Sequence, residues 1–233
     1  MRAPLVSCIL PTRNRTRFLR QALQCYEAQR WPRKELIVVD DGERSNAALF
    51  RGGAEVRYIR LTQPVNLGQR VNLAIEAARG DIIQRLDDDD YYGPEFLARN
   101  MTALPLDEGR DRSLVTRCCF LVLLRRAGDL RHSGHGWRPG GAFCFHKDLW
   151  RRIPFRDAAQ SEDSWFIRDQ RPRLIRVCRV EDYIVVRHGG NHWTRVTTGD
   201  TDEYFGQCEL FGGDLASVTS AETARWYQRC LGR

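Results

Sequence analysis

Four consecutive carboxylates, Asp87 to Asp90, close the apolar stretch Asp81-Ile82-Ile83-Gln84-Arg85-Leu86. Like charges this close raise one another's pKa values and cost stability unless a cation answers them. Hard divalent cations take carboxylate oxygens, and a diphosphate brings such a cation with it. The bland alternative is a solvated acidic turn. Context speaks against it: a strand leads in, Tyr91-Tyr92 and Gly93-Pro94 lead out, and a second acidic pair, Asp40-Asp41, follows another apolar strand. The run predicts a site for a metal ion and a nucleotide.

Other groups could add to that chemistry. Asn66-Leu67-Gly68 precedes a helical pattern with Arg70 in its first turn, and a helix N-terminus favours anions. Glu162-Asp163 opens another helix; such a pair is either a macrodipole-stabilised terminus or a source of a general base. His188 and His192 follow a strand in Arg187-His188-Gly189-Gly190-Asn191-His192-Trp193, where an imidazole could reach a metal or a diphosphate. His132 and His135 lie in a Gly-rich segment that reads as an exposed loop. Trp137, Trp165 and Trp193 could stack on sugar or base faces, with core packing as the alternative for Trp165.

The elements that must position these groups follow from patterning. Leu5 to Leu10 is a short apolar run stopped by Pro11, hence a buried strand. Residues 15–30 carry apolar side chains at helical spacing with arginines, Arg15, Arg17, Arg20 and Arg30, on a solvated outer face. Residues 35–39, 56–61 and 82–86 read as further buried strands, and 68–79 as a helix ended by Gly80. Such alternation predicts a parallel sheet with right-handed crossovers, whose ligands bind at the carboxyl ends of the strands. Pro11 to Asn14, Asp40-Asp41 and Asp87 to Asp90 all follow strand ends, so one rim gathers them. Beyond residue 93 the pattern predicts a helix over 94–104, a long strand or hairpin arm over 114–124, and a loop over 128–141. A strand at 142–145, a helical turn at 147–152 and a helix over 163–170 come next. Strands over 174–180 and 183–187, a loop over 191–201 and a terminal helix over 221–231 complete the chain.

Six pieces in order carry a family resemblance: Val6-Ser7-Cys8-Ile9-Leu10-Pro11-Thr12-Arg13-Asn14, Glu35-Leu36-Ile37-Val38-Val39-Asp40-Asp41-Gly42, Asn66-Leu67-Gly68 with Asn72 and Gly80, Leu86-Asp87-Asp88-Asp89-Asp90, Gly140-Gly141-Ala142-Phe143, and Glu162-Asp163. Together they resemble the family 2 glycosyltransferases of GT-A fold over residues 5–192. The resemblance implies one α/β, Rossmann-like domain over 1–233, a mostly parallel central sheet flanked by helices with a smaller acceptor-side β subregion. Its parts would be a nucleotide-sugar half (1–92), an acceptor half (93–205) and a C-terminal helical extension (206–233). It implies a metal-dependent, inverting transfer from a nucleotide-diphosphate sugar, a UDP-sugar, with Mn2+ or Mg2+.

By the same resemblance, Pro11, Thr12, Arg13 and Asn14 hold the nucleotide, with Asp40 or Asp41 accepting from the base or ribose. Asn66, Gly68, Asn72, Gly140 and Gly141 line the donor. The family's DxD motif falls on Asp87-x-Asp89, with Asp88 between; the first acid meets ribose or metal, the last ligates the metal, and the register stays open by one position. His188 is a further candidate ligand. Asp163 corresponds to the base that deprotonates the acceptor hydroxyl, and Glu162 binds or orients the acceptor. One departure is that Val71 stands before Asn72 where the family commonly has a basic residue, at shorter spacing from the glycine, so the phosphate-reaching role passes to Arg70.

The chain has 233 residues, 42% hydrophobic, and a formal net charge of +7. That length suits one full core. No apolar run reaches the ~18–20 residues of a spanning helix. Met1-Arg2-Ala3-Pro4 runs straight into a strand, so a signal peptide is not expected and the location reads as cytoplasmic, with a peripheral membrane association as a variant. The eight cysteines show no CxxC pair or zinc spacing and read as reduced core residues. Lysine occurs only at Lys34 and Lys147; arginine supplies the rest of the positive charge and suits phosphate recognition. This predicts an anionic acceptor (a glycan, a lipid-linked glycan, a hydroxylated base in DNA, or a peptide), met by Arg131 and Arg138 beside Arg125 and Arg126, with Trp165 and His192 nearby. A nucleotidyltransferase would need a glycine-rich, lysine-containing loop after the first strand, which Pro11 to Asn14 do not provide. A non-catalytic nucleic-acid-binding module would leave the acids at three strand ends unexplained.

Overall fold

The computed structural model describes residues 3–50, 55–125, 129–196 and 199–232. Its first half runs β1 (Val6–Thr12), α1 (Thr16–Glu27), β2 (Lys34–Asp40), β3 (Val56–Arg60), α2 (Leu67–Ala77), β4 (Ile82–Arg85), β5 (Tyr91–Tyr92) and α3 (Phe96–Ala103). Then come β6 (Ser113–Arg117), β7 (Leu121–Leu124), β8 (Leu130–His132), β9 (Cys144–His146), α4 (Lys147–Arg152), α5 (Glu162–Gln170), β10 (Arg173–Val177) and β11 (Tyr183–Arg187). A short hairpin, β12 (Arg195–Val196) and β13 (Gly199–Asp200), leads to α6 (Thr201–Gly206), α7 (Leu215–Val218) and α8 (Ala221–Cys230).

Seven strands form the main sheet in the order β10-β6-β9-β4-β1-β2-β3. All its pairings are parallel except those of β9, which runs antiparallel to both β4 and β6. A second sheet, β5-β11-β7-β8, packs beside it. The central strands are apolar on both faces, as a sheet covered on both sides requires. Alternate residues serve opposite layers. Cys8, Leu10, Leu36 and Val38 face α1 and the second sheet, whereas Ile9, Ile37, Val39 and Ile83 face Val71, Ala74 and Ile75 of α2. The last helix belongs to the first of these layers, where it buries Ala224, Tyr227 and Leu231.

Three expectations are corrected. The stretch 114–124 is two strands in two different sheets, broken at Cys118-Cys119-Phe120. Apolar content marks both halves as buried but says nothing about which sheet each joins. The loops at 128–141 and 191–201 hold short strands, because an edge pairing needs only two or three residues. The cysteines are not all reduced: Cys119 and Cys178 are disulfide-bonded, and Cys178 is exposed.

Candidate active site

The topology brings the chemistry to one rim. Parallel β1, β2 and β4 end together, with Thr12 in register with Asp40 and Ile9 with Arg85. Because β9 is antiparallel, the residues before it, Gly140 and Gly141, return to the same rim; the Arg85 amide donates to the Phe143 carbonyl at 2.9 Å.

Each aspartate of the acid run has its own surroundings. Asp88 accepts from the Thr12 hydroxyl at 2.6 Å and from Arg15 Nη1 at 2.9 Å. Burial first, and Asp89 beside it, push the Asp88 carboxyl up to about 6. Asp89 Oδ2 meets Arg15 Nη1 at 2.7 Å, His188 Nε2 at 3.0 Å and Asn191 Nδ2 at 3.2 Å. Burial opposes its charge, but His188 and Arg15 outweigh burial and hold its pKa below the ordinary value. Asp90 turns inward, accepting from the Tyr183 hydroxyl at 2.7 Å and the Val186 amide at 3.0 Å, and burial pushes its pKa well up. That commits Asp90 to β11 and leaves Asp87 and Asp89 as the pair facing the rim. Asp87 is the most exposed of the four, with 31% of its side chain accessible, and pairs with Arg85 at 3.2 Å.

Arg85 links the acid run to the acids that open α5. Only 4% exposed, it also meets Glu162 Oε1 at 2.7 Å. Burial works against its charge, yet Asp87, Glu162 and Asp163 together raise its pKa. The Glu162 carboxyl is raised by burial, with Arg85 opposing. Asp163, partly exposed, has one oxygen on the Ser164 amide at 2.7 Å. Between the two acids runs a backbone that tolerates no side chains. A Cβ on Gly140 would sit 2.8 Å from Asp163 Oδ2, and one on Gly141 2.5 Å from Asp87 Oδ2. The close approach of Asp87 and Asp163 to one stretch of chain is the reason those two positions are glycine.

The remaining predicted donor contacts divide. Thr12 is at the acid run, and Pro11 is buried in β1 just before it. Arg13 and Asn14 are exposed; Asn14 has φ 57° and its Oδ1 accepts from the Glu43 amide at 2.7 Å, which fixes the turn after β2. Asp40 is sealed, accepting from the Gly42 amide, Asn46 Nδ2 and the Tyr58 hydroxyl. Asp41 pairs with Arg70 at 3.1 Å and accepts from the Val65 amide, so Arg70 braces the strand-end acid rather than standing free. Asn66 is exposed at the start of α2, while the Gly68 amide donates to the Ala158 carbonyl. Asn72 is structural: its amide ties α2 to Trp150 and Phe155.

Arg131 is bonded to Asp129 and the Cys208 carbonyl, both at 2.8 Å. Arg125 donates to the His188 carbonyl at 3.3 Å, and Arg126 lies outside the described residues. Arg138 is exposed two residues before Gly140. Trp165 lies on α5 with the guanidinium groups of Arg156 and Arg168 at 4.2 and 5.0 Å from its ring centroid. His192 is exposed and its Nε2 contacts the Ala159 carbonyl, in the segment leading to α5.

Sequence reasoning missed Arg15, Arg85 and Asn191. Arg15 is not on the outer face of α1; it precedes the helix and reaches Asp88, Asp89 and the Gly190 carbonyl. A signal existed, since four adjacent carboxylates need a cation and both arginines flank the predicted rim. Asp89 beside the His188 imidazole is a donor set that suits Mn2+ or Mg2+. The Arg15 guanidinium stands at these acids as the chain's own counter-charge.

Residues 7–111 match the model of Glycosyl transferase family 2. Over those residues the chain is similar to that family. An uncharacterized glycosyltransferase of Rickettsia felis is 28% identical over 112 residues, covering 46% of this chain and 18% of that protein. The structure of TarS residues 1–349 from S. aureus, in complex with UDP-GlcNAc, superposes with a TM-score of 0.64 at 19% identity, covering 81% of this chain and 60% of that one. A mannosyltransferase from Pyrobaculum calidifontis, in complex with GDP-Man and Mn2+, gives 0.62 at 21% identity, covering 80% and 57%. The fold is therefore GT-A, and the chain spans under two thirds of each of these three proteins. The family match ends at residue 111, ahead of Gly140-Gly141 and Glu162-Asp163.

Proposed function

We propose that this chain is a metal-dependent, inverting glycosyltransferase that moves a sugar from a UDP-sugar to an acceptor hydroxyl. One observation carries the reading: Asp87 and Asp163 flank the bare backbone of Gly140-Gly141. A donor-side acid and an acceptor-side base thus share one cleft, where the missing side chains let both carboxylates approach the same stretch of backbone. Asp163 takes the proton of the attacking hydroxyl, Glu162 and Arg85 hold that side of the cleft in place, and Asp87 meets the ribose or sugar. Attack from the side of Asp163, opposite the diphosphate, inverts the anomeric centre.

Asp89, His188 and Asp87 are the residues that would hold Mn2+ or Mg2+. When bound, the ion supplies Lewis-acid stabilisation of the departing diphosphate. Thr12 and Arg15 fix Asp88 and leave Arg13, Asn14 and Asn66 exposed toward the nucleotide. The UDP-GlcNAc and GDP-Man complexes of the fold neighbours support a nucleotide-sugar donor.

The acceptor in this reading is anionic, a glycan or lipid-linked glycan, with a hydroxylated DNA base or a peptide as alternatives. Exposed Arg138 and Arg168 supply cations and Trp165 an aromatic face on that side, while Arg156 is paired with Asp169. No helix among the described residues is long and apolar enough to cross a membrane, and a cytoplasmic location accords with that. Calorimetry of UDP-sugar binding with Mn2+, repeated with EDTA and with Asp89→Ala, tests the assignment. Affinity should vanish in both cases while the fold survives; unchanged affinity in either overturns the metal role.

A further inference from the structure

Further along the same sheet edge, past β9 at the carboxyl ends of β6 and β10, Cys118, Cys119, Cys178 and His135 converge, with one ligand atom from each lying within 4.8 Å of all the others. His135 Nδ1 stands 3.9 Å from Cys178 Sγ. The four come from three segments. Cys118 and Cys119 occupy the crossover from β6 to β7, Cys178 follows β10, and His135 sits in the loop after β8. That loop is built to present the imidazole: Gly134 and Gly136 flank it at φ 75° and 96°, and the Trp137 amide donates to the Cys118 carbonyl at 3.2 Å.

We infer that the reduced chain binds one Zn2+ through three thiolates and the His135 imidazole. The Cys119–Cys178 disulfide is the oxidised form of this site. A disulfide alone uses two of the four groups and leaves Cys118 and His135 gathered for no purpose. Cys8, Cys25, Cys118, Cys144, Cys208 and Cys230 are free thiols, the usage of a reducing compartment, in which a disulfide does not persist. Once that bond opens, three sulfurs and one ring nitrogen are left, the composition of a closed structural zinc site. Tetrahedral zinc sets neighbouring ligand atoms about 3.5–3.8 Å apart. The disulfide sulfurs must part to that spacing and the outer atoms must close by about 1 Å. Exposed Cys178 and His135 give the ion its entry path. Soft thiolates select zinc over the hard cation of the acid run, so the two sites do not compete. The zinc would clamp the crossover between the two sheets to the loop that carries Trp137 and runs on to Gly140.

This inference stands independently of the sugar-transfer reading, and its test does not involve a sugar. Reduction by a phosphine gives two thiols and a phosphine oxide, whose oxygen comes from water. The metal-free reduced protein is then titrated with Co2+, and bound Zn2+ is counted after exchange. The expected result is one equivalent per chain, with thiolate-to-cobalt absorption, the visible bands of tetrahedral cobalt, and proton release on binding. Zn2+ should raise the Tm of the reduced protein and leave that of the oxidised protein unchanged. Exposed His135→Ala and Cys178→Ser, with folding checked by circular dichroism, should lose the absorption. Absence of a cobalt–thiolate band in fully reduced wild type overturns the site, as does full absorption in Cys178→Ser or equal binding by the oxidised chain.

Discussion

Gly141→Ala puts the architecture of the cleft to a direct test. The added Cβ would lie 2.5 Å from Asp87 Oδ2, 2.8 Å from Asp87 Cγ and 3.0 Å from the Tyr92 hydroxyl. Ordinary contact begins at 3.4 Å, so the carboxylate must yield by about 0.9 Å. It has little freedom to do so. Arg85 holds its Oδ1, its own amide donates to the Tyr92 hydroxyl at 2.7 Å, and that hydroxyl donates to the Gly141 carbonyl at 3.0 Å. Overpacking of this kind costs about 1–3 kcal/mol of stability, and a misplacement near 1 Å costs about 10²-fold in rate. Gly140→Ala is the matched control: its Cβ would meet Asp163 Cβ at 2.7 Å and Asp163 Oδ2 at 2.8 Å. UDP release measures turnover, and calorimetry with Mn2+ measures donor affinity. Gly141→Ala should lose both. Gly140→Ala should keep donor affinity and lose turnover. Turnover within threefold of the parent in a Gly141→Ala protein of unaltered Tm would refute the claim that these glycines exist to admit the two acids.

Three further outcomes are expected. Asp163→Asn cannot accept a proton, so transfer should fall by about 10²–10⁴-fold with donor binding intact; transfer within threefold of wild type moves the base elsewhere. Asp90→Ala strands the Tyr183 hydroxyl and Val186 amide, at about 1–3 kcal/mol for each buried group, whereas Asp90→Asn can still accept from the Val186 amide and donate from its Nδ2 to the Tyr183 hydroxyl oxygen, so it should lose less Tm than Asp90→Ala; equal Tm losses in the two variants would contradict this. Asp88, with a pKa of about 6 in the fold against ~3.9 unfolded, binds its proton more tightly when native. Its contribution to metal-free stability is therefore full below pH ~4 and lost as pH rises through ~6, an effect of about 1–3 kcal/mol. Urea unfolding of wild type and Asp88→Asn at pH 4.5 and 6.5 should show that loss in wild type alone, and parallel changes would refute it.

The sequence disclosed the first half of the fold well because its signals there are redundant. β1, β2 and β4 are apolar runs, although Pro11, expected to stop the first, lies within β1, which runs on to Thr12; α2 carries a helical period and is followed by Gly80. The rim followed from parallel topology alone. What patterning could not reveal was which side chains the protein spends on itself. Asp40 and Asn72 look like ligand contacts in a motif, yet the fold closes hydrogen bonds around both. Arg15 looks like one more surface arginine until α1 is seen to begin at Thr16, which frees the residue before it to turn inward. Arg131 belonged to a presumed loop, and a three-residue strand with Asp129 beside it absorbs its charge. Two-residue pairings and the partners of long side chains depend on contacts far along the chain, and no local period encodes them.

The guanidinium of Arg15 closes on the carbonyl of Gly190 across 175 positions of sequence, and Asp90 reaches Val186 across 96. Contacts this distant carry a loop-closure cost that is met before they return any stability, so they mature late and slowly. During synthesis the acid run emerges roughly a hundred residues ahead of Tyr183, Val186 and Asn191, at ~5–20 residues per second. For that interval the nascent chain holds four neighbouring carboxylates without half of their partners. Until the later partners arrive, Arg15 and Arg85, already synthesised, are the chain's own cations for the run. Fragments ending before Gly190 should accordingly retain no fraction of the activity. The contacts of Asp88 with Thr12 and Arg15 and of Asp41 with Arg70 need only the first half of the chain, whereas those of Asp90 with Tyr183 and Val186 wait for the second sheet to close.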